Sequence, residues 1–131
     1  MIKTGCTNPE ILSALSHCTH GDKVLITTGN FRFDKYGRAK VVYVGVRSGL
    51  PTTLDVAKAL KDTVNFEKME FMKLDEDTPT YKALKELLPD VPVEYYERQD
   101  YYAVTKSGDV ELVIVTGDVQ HAANVLLTVY L

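Results

Sequence analysis

Residues 23–30 read Lys-Val-Leu-Ile-Thr-Thr-Gly-Asn, and residues 113–118 read Val-Ile-Val-Thr-Gly-Asp. Both are short apolar runs closed by Thr-Gly and a polar residue. Runs of this length without helical spacing suit buried strands. The first predicts a strand over Lys23–Thr28, the second a strand over Glu111–Thr116. If both belong to one open α/β sheet, their Thr-Gly ends lie where such sheets bind ligands, outside the carboxyl ends of the strands. Strand-turn chemistry alone would also produce the echo, so it marks a place without proving a site.

Outward from these runs, helices alternate with strands. Asn8-Pro9-Glu10 opens a helix: Asn8 caps a free amide, Pro9 suits the first turn and Glu10 meets the positive dipole end. Ile11, Leu12, Leu15 and Cys18 share one face, and Gly21 is the expected stop. Gly29 to Lys40 is a long loop rich in charge and aromatics, followed by a strand over Val41–Val44. After a turn at Ser48–Pro51, Thr52-Thr-Leu-Asp55 has capping-box spacing and opens a helix with Val56, Ala57, Leu60 and Val64 inward. A strand over Phe66–Leu74 follows. The next helix starts at Asp77-Thr78-Pro79 and packs through Tyr81, Leu84, Leu87 and Leu88. Val91–Tyr96 is a short strand whose prolines put it at an edge or an entry position. A helix over Arg98–Lys106 and a final strand over Val125–Leu131 complete the chain. The order argues an α/β domain over residues 1–131, three layers deep, with a mostly parallel or mixed central sheet.

Bulk properties narrow the partners. The 131 residues are 45% hydrophobic and 25% charged, enough for a core without staples. A formal net charge of -3 gives no basic footprint, so no nucleic acid is expected. No apolar run reaches membrane-spanning length, and the first ten residues lack the apolar centre of a secretory signal. Cys6 and Cys18 are too few for a disulfide framework or a zinc site, and read as reduced thiols of a cytoplasmic protein.

The chain lacks H-E-x-x-H, paired Cys spacing, G-x-S-x-G, a P-loop and G-x-G-x-x-G. What remains is a polar set at loop ends: His20, Asp22, Thr28, Asn30, Arg98, His121 and Asn124. Such a mix of donors and acceptors suits a hydroxyl-rich ligand. Among them His20 is the one placed to move protons near neutral pH. The bland alternative is a histidine at a helix end, facing the negative end of the dipole. The tyrosines 95, 96, 101 and 102 around Glu97-Arg98 offer a stacking surface for a sugar ring, although packing explains most of such a cluster.

The motifs, taken in order, resemble the ribose pyranase and fucose mutarotase (RbsD/FucU) family. The resemblance runs from M-I-K-T-G through N-P-E-I-L-S-A-L-S-H-C-T-H-G-D, S-G-L-P-T-T-L-D-V and Y-E-R-Q-D-Y-Y to V-I-V-T-G-D-V-Q-H-A-A-N-V-L-L. It implies an RbsD-like fold and an aldose mutarotase, an isomerase of monosaccharides working without metal or cofactor. It implies His20 as the catalytic acid–base, with Arg98 and Asn124 at sugar-contacting positions. Thr28, Asn30 and His121 join them as candidate substrate-binding residues. It also implies a homo-oligomer, a decamer with sites shared between subunits. Two positions depart from the pattern. Thr28 stands where the family has an aspartate, and Ala122 where it has a tyrosine. Asp34 or His121 would be the nearest replacements for the lost charge. These departures motivate an alternative, a non-catalytic sugar-binding protein of the same fold.

Overall fold

The computed structural model describes residues 1–130. Its elements, in chain order, are α1 (Pro9–Ser16), β1 (Lys23–Thr27), β2 (Lys40–Tyr43), α2 (Thr53–Lys61), β3 (Asn65–Met72), α3 (Pro79–Leu87), β4 (Val93–Tyr96), α4 (Arg98–Thr105), β5 (Val110–Val115) and β6 (Val125–Tyr130). The expected end of the last strand at Leu131 lies outside the described residues.

The six strands form one sheet in the order β2-β5-β1-β6-β3-β4. Pairs β1–β5, β2–β5 and β3–β4 are parallel, whereas β6 runs antiparallel to both β1 and β3. The sheet is therefore mixed. The carboxyl ends of β1 and β3 share a rim with the beginning of β6, where Ile26 pairs with Val125. The opposite rim carries the beginning of β1 and the end of β6. Proline-flanked β4 is an edge strand, where a missing N–H costs no ladder bond.

Alternation along the strands sends side chains to two cores. One face presents Val24, Ile26, Leu112, Ile114 and Leu127 to Ile11 and Leu15 of α1, Leu60 of α2, and Tyr81 and Leu84 of α3. The other presents Leu25, Val113, Val115 and Leu126 to Tyr101 of α4 and to Phe31 and Phe33 of the β1–β2 loop. The third layer is thus one helix plus an aromatic loop. The phenol of Tyr101 is fully buried and donates to the Glu70 carbonyl at 3.3 Å. Burial holds its pKa well above the ordinary tyrosine range.

Side-chain caps fix the starts of α1, α2 and α3 as local chemistry requires. Asn8 Oδ1 accepts from the amides of Glu10 and Ile11 at 2.9 and 3.1 Å. Thr52 and Asp55 close a reciprocal capping box at 3.0 and 2.9 Å. Thr78 caps α3 through the Tyr81 amide. Each such cap is worth about 1 kcal/mol. The exception is the end of α1, which stops at Ser16 well short of Gly21. Asp22 Oδ2 accepts from both the amide and the hydroxyl of Thr19, pulling the chain into a turn. Gly21 serves that turn, with φ of 93° and its amide donated to the Val129 carbonyl at 3.1 Å. His20 consequently sits on a turn, not at a helix terminus.

Candidate functional site

Five of the six candidate residues meet in one cavity of about 450 Å³. Thr28, Asn30, Arg98, His121 and Asn124 line it together with Lys73 and Tyr102. Topology explains the meeting. Thr28 and Asn30 follow β1, Lys73 follows β3, Arg98 begins the helix after β4, and Asn124 immediately precedes antiparallel β6. All are therefore delivered to the same rim of the sheet.

Asn124 is the structural centre. Its Oδ1 accepts from the Thr27 hydroxyl at 2.6 Å and the Thr28 amide at 3.0 Å. A backbone amide can only donate, so these bonds fix which way the Asn124 amide faces. The Thr28 hydroxyl in turn donates to Asn30 Oδ1 at 2.6 Å. Ala122 holds φ of 51°, a left-handed conformation that a residue with a Cβ adopts at a cost of roughly 1 kcal/mol. Its carbonyl accepts the Asn124 amide at 2.8 Å, so the strained turn orients the central asparagine.

The segment between β5 and β6 is anchored to α2. Buried Asp118 accepts from the Thr53 amide at 2.9 Å and the Gln120 amide at 2.8 Å, a negative charge on the first turn of a helix. Thr53 also donates its hydroxyl to the Ala123 carbonyl at 2.6 Å. On the far wall, Arg98 stands 5.8 Å from the Tyr102 ring centre, and Tyr102 stacks on Phe31 at 5.3 Å. Arg98 is the first residue of α4, whose Glu97 N-cap supplies no side-chain hydrogen bond to the helix start.

His20 is elsewhere. It precedes β1, whereas Thr28 follows it, and five strand residues span roughly 16 Å. The imidazole is half-exposed on the opposite rim, with Nε2 3.3 Å from Glu67 Oε1 and its ring edge-on to Tyr130 at 5.6 Å. Glu67 reaches it because β3 bulges between Phe66 and Lys68, turning one residue out of the ladder. Asp22 is spent on the Thr19 turn. Asp34 lines a separate hollow with Gly37 and Arg38, so it does not replace the charge missing at Thr28. His121 does line the cavity. Reading the sequence missed Lys73 and Glu67. Lys73 was legible as the residue just past a strand end, had β3 been ended at Met72. The bulge that aims Glu67 leaves no local mark.

A second hollow of about 710 Å³ adjoins the cavity, sharing Asn30, His121 and Ala122 and extending to Arg47 and Gln120. No helix among the described residues is long and apolar enough to cross a membrane.

Comparison with known proteins follows the same lines. A D-ribose pyranase from Kosmotoga olearia is 27% identical over 130 residues, covering 98% of this chain and 96% of the relative. The structure of Bacillus subtilis RbsD complexed with D-ribose superposes with a TM-score of 0.89 at 23% identity, covering 100% of this chain and 98% of the other. The fucose mutarotase of Streptococcus pneumoniae in complex with L-fucose gives 0.77 at 16% identity, covering 95% and 93%. These likenesses agree with the mixed α/β architecture, and the curated relative is an isomerase. A sequence model of one family matches residues 1–129, nearly the whole chain: the protein belongs to the RbsD / FucU transport protein family.

Proposed function

We propose that the protein is an aldose mutarotase whose site is completed between two copies of the chain. One copy contributes the cavity of Thr28, Asn30, Arg98, His121 and Asn124, and the other its His20. The observation that carries this reading is the separation of the two groups: five candidates converge on one rim of the sheet, and the sixth stands half-exposed on the other. A head-to-tail contact between copies would bring the rims together, and such contacts close into rings. The family membership and the sugar-binding relatives support the substrate class, and the expected decamer is one such closed assembly.

The chemistry asks for proton movement alone. The ring oxygen of a cyclic aldose gains a proton while the anomeric hydroxyl loses one. The ring opens, the carbonyl rotates, and the steps reverse. The imidazole serves as acid and base, contributing about two to four orders of magnitude. Asn124, Asn30, Thr28, Arg98 and His121 hold the sugar by hydrogen bonds, and Tyr102 offers a ring face. The reading includes no metal and no cofactor.

The test is anomer exchange of ribose, fucose and related aldoses, followed by magnetisation-transfer NMR. No acceleration with any sugar between about pH 5 and 9 overturns the reading. Sharing is tested by mixing two inactive variants, His20→Ala and the double variant Asn30→Ala/Arg98→Ala. Regained activity after subunit exchange supports a shared site, and a monomer by sedimentation removes it.

One observation favours a second reading, a sugar-binding protein without turnover. The Thr28 hydroxyl is engaged by Asn30, and among the described residues no carboxylate lines the cavity, so an incoming imidazole meets no acid there and brings only its own Glu67. That reading predicts a thermal shift with a sugar and no exchange.

A further inference from the structure

The hydrogen-bonding capacity of the cavity is lopsided. Asn124 Oδ1 is filled by two donors from the protein itself, at 2.6 and 3.0 Å. Asn30 Oδ1 receives the Thr28 hydroxyl at 2.6 Å. Those two side-chain carbonyls are therefore engaged, and the Thr28 and Tyr102 hydroxyls are the neutral side-chain oxygens left to accept. The amide nitrogens of Asn30 and Asn124, the Lys73 ammonium, the Arg98 guanidinium and the His121 ring remain. The amide nitrogens, the ammonium and the guanidinium only donate, the His121 ring can donate or accept, and two of these groups carry fixed positive charge.

A neutral sugar offers the two cations of this surface no anionic partner. Each hydroxyl brings a hydrogen that needs an acceptor, and a hydroxyl left without one on desolvation costs free energy. A phosphate or carboxylate, by contrast, accepts only. The positive charge is also weakly balanced. No ion pair among the described residues involves Arg98, which leans on the Tyr102 ring instead. Lys73 meets Glu97 at 3.5 Å, but both ends are mostly exposed, where such pairs are weak. Glu97 itself does not line the cavity. The space of about 450 Å³ exceeds what one unsubstituted pentose or hexose fills, leaving room for a charged substituent.

We infer that the cavity takes an aldose bearing a negative charge, either a phosphate ester or a sugar acid. This deepens the mutarotase reading and rests on it for the reaction, while the binding claim stands on the cavity alone. Arg98 and Lys73 hold the anionic substituent, Arg98 through its planar fork and Lys73 as a point charge. Asn30 and Asn124 donate to the sugar oxygens.

The experiment compares three probes: galactose, galactose 6-phosphate and galacturonate. Anomer exchange is read by NMR and binding by calorimetry, at about 20 and about 300 mM salt. At least one charged sugar is expected to exceed galactose about tenfold or more in exchange efficiency or affinity, with the advantage shrinking at high salt. Arg98→Gln and Lys73→Gln are each expected to lower the ratio of charged to neutral efficiency about tenfold. The phosphate and carboxylate arms identify which anion is preferred. Galactose performing as well as both charged sugars overturns the inference and leaves the mutarotase reading standing. Charged sugars that bind in an Arg98-dependent way without exchange keep the inference, and overturn the mutarotase reading if ribose and fucose also show no acceleration. Neither binding nor exchange with any of the three overturns the inference, and the mutarotase reading is then decided by the ribose and fucose assay.

Discussion

His20 Nε2 and Glu67 Oε1 stand 3.3 Å apart, joined across the rim opposite the polar cavity. The contact exists because the β3 bulge swings Glu67 out of the ladder toward the β1 turn. With Nε2 engaged by the carboxylate and the ring edge against Tyr130, Nδ1 is the nitrogen left for a substrate proton. A carboxylate on one ring nitrogen sets the tautomer and orientation of the other. Glu67 is thus a positioning residue in the proposed reaction. His20→Ala is expected to remove about two or more orders of magnitude of exchange rate. Glu67→Gln, which keeps the shape, is expected to lower kcat roughly tenfold while KM moves little. Progress curves from magnetisation transfer at several sugar concentrations separate the two constants. An unchanged kcat in Glu67→Gln would show that the pair is a surface contact without catalytic consequence.

Gly117 governs how the segment carrying His121 packs on the Ser48–Pro51 turn. Its amide donates to the Pro51 carbonyl at 3.0 Å, and its carbonyl accepts from the Gly49 amide at 2.6 Å. A Cβ at Gly117 would run into the Leu50 carbonyl oxygen and stand 2.6 Å from that of Arg47. Both are backbone atoms, so rotamer changes cannot relieve the clash. Gly117→Ala is expected to destabilise the fold by about 2–3 kcal/mol, as overpacking does. Gly29→Ala is the control: no atom lies within 4 Å of the added carbon, and stability is expected within about 0.5 kcal/mol. Urea denaturation of both variants decides it, and equal midpoints would contradict the close approach.

What could be read from the chain was what local chemistry dictates. The capping box at Thr52 and Asp55, the N-cap at Asn8, the edge position of proline-flanked β4 and the Thr-Gly strand ends all act within a few residues. The convergence of Thr28, Asn30, Arg98, His121 and Asn124 was anticipated because each lies at an element end. Other features depend on long-range pairing. Nothing near Val125 announces that β6 inserts antiparallel between β1 and β3, yet that insertion brings Asn124 to Thr28. The β3 bulge depends on its register against Val129 and Thr128, so Glu67 looked like an ordinary strand residue. The early end of α1 turns on Asp22 reaching back to Thr19, which outcompetes the expected glycine stop. The separation of His20 from the cavity follows from strand direction, which a polar set collected along a sequence does not carry.

Cys18 gives a chemical test of the α1–β1 junction. Burial first, then the charges of Asp22 and Glu111, push its thiol up to about 11. Only about one thiol in a thousand is then ionised at pH 8, and the thiolate is the reacting form. Alkylation of Cys18 by iodoacetamide, followed by mass spectrometry of the native protein, is expected to be slow at pH 8. It should rise about tenfold per pH unit up to about pH 10, below the thiol's own titration. A rate already level between pH 8 and 9 would mean that this side chain is neither buried nor flanked by those carboxylates.

Asn124 joins stability to ligand choice, and two substitutions separate them. Asn124→Ala leaves the buried Thr28 amide without its acceptor and leaves the buried Thr27 hydroxyl only the Thr28 carbonyl at 3.3 Å. An orphaned buried donor costs about 1–3 kcal/mol, and a loss of that size is expected in urea denaturation. Asn124→Asp retains an acceptor for the same donors and should stay within about 1 kcal/mol of the parent at neutral pH. It also places a negative charge in a cavity otherwise lined by cations and neutral donors. Binding of a phosphorylated or acidic aldose is therefore expected to weaken far more than binding of its neutral parent, as calorimetry with both ligands would reveal. Should the aspartate variant fall as far as the alanine variant, the acceptor role is wrong. Should it bind the charged sugar undiminished, the anionic substituent does not lie near Asn124.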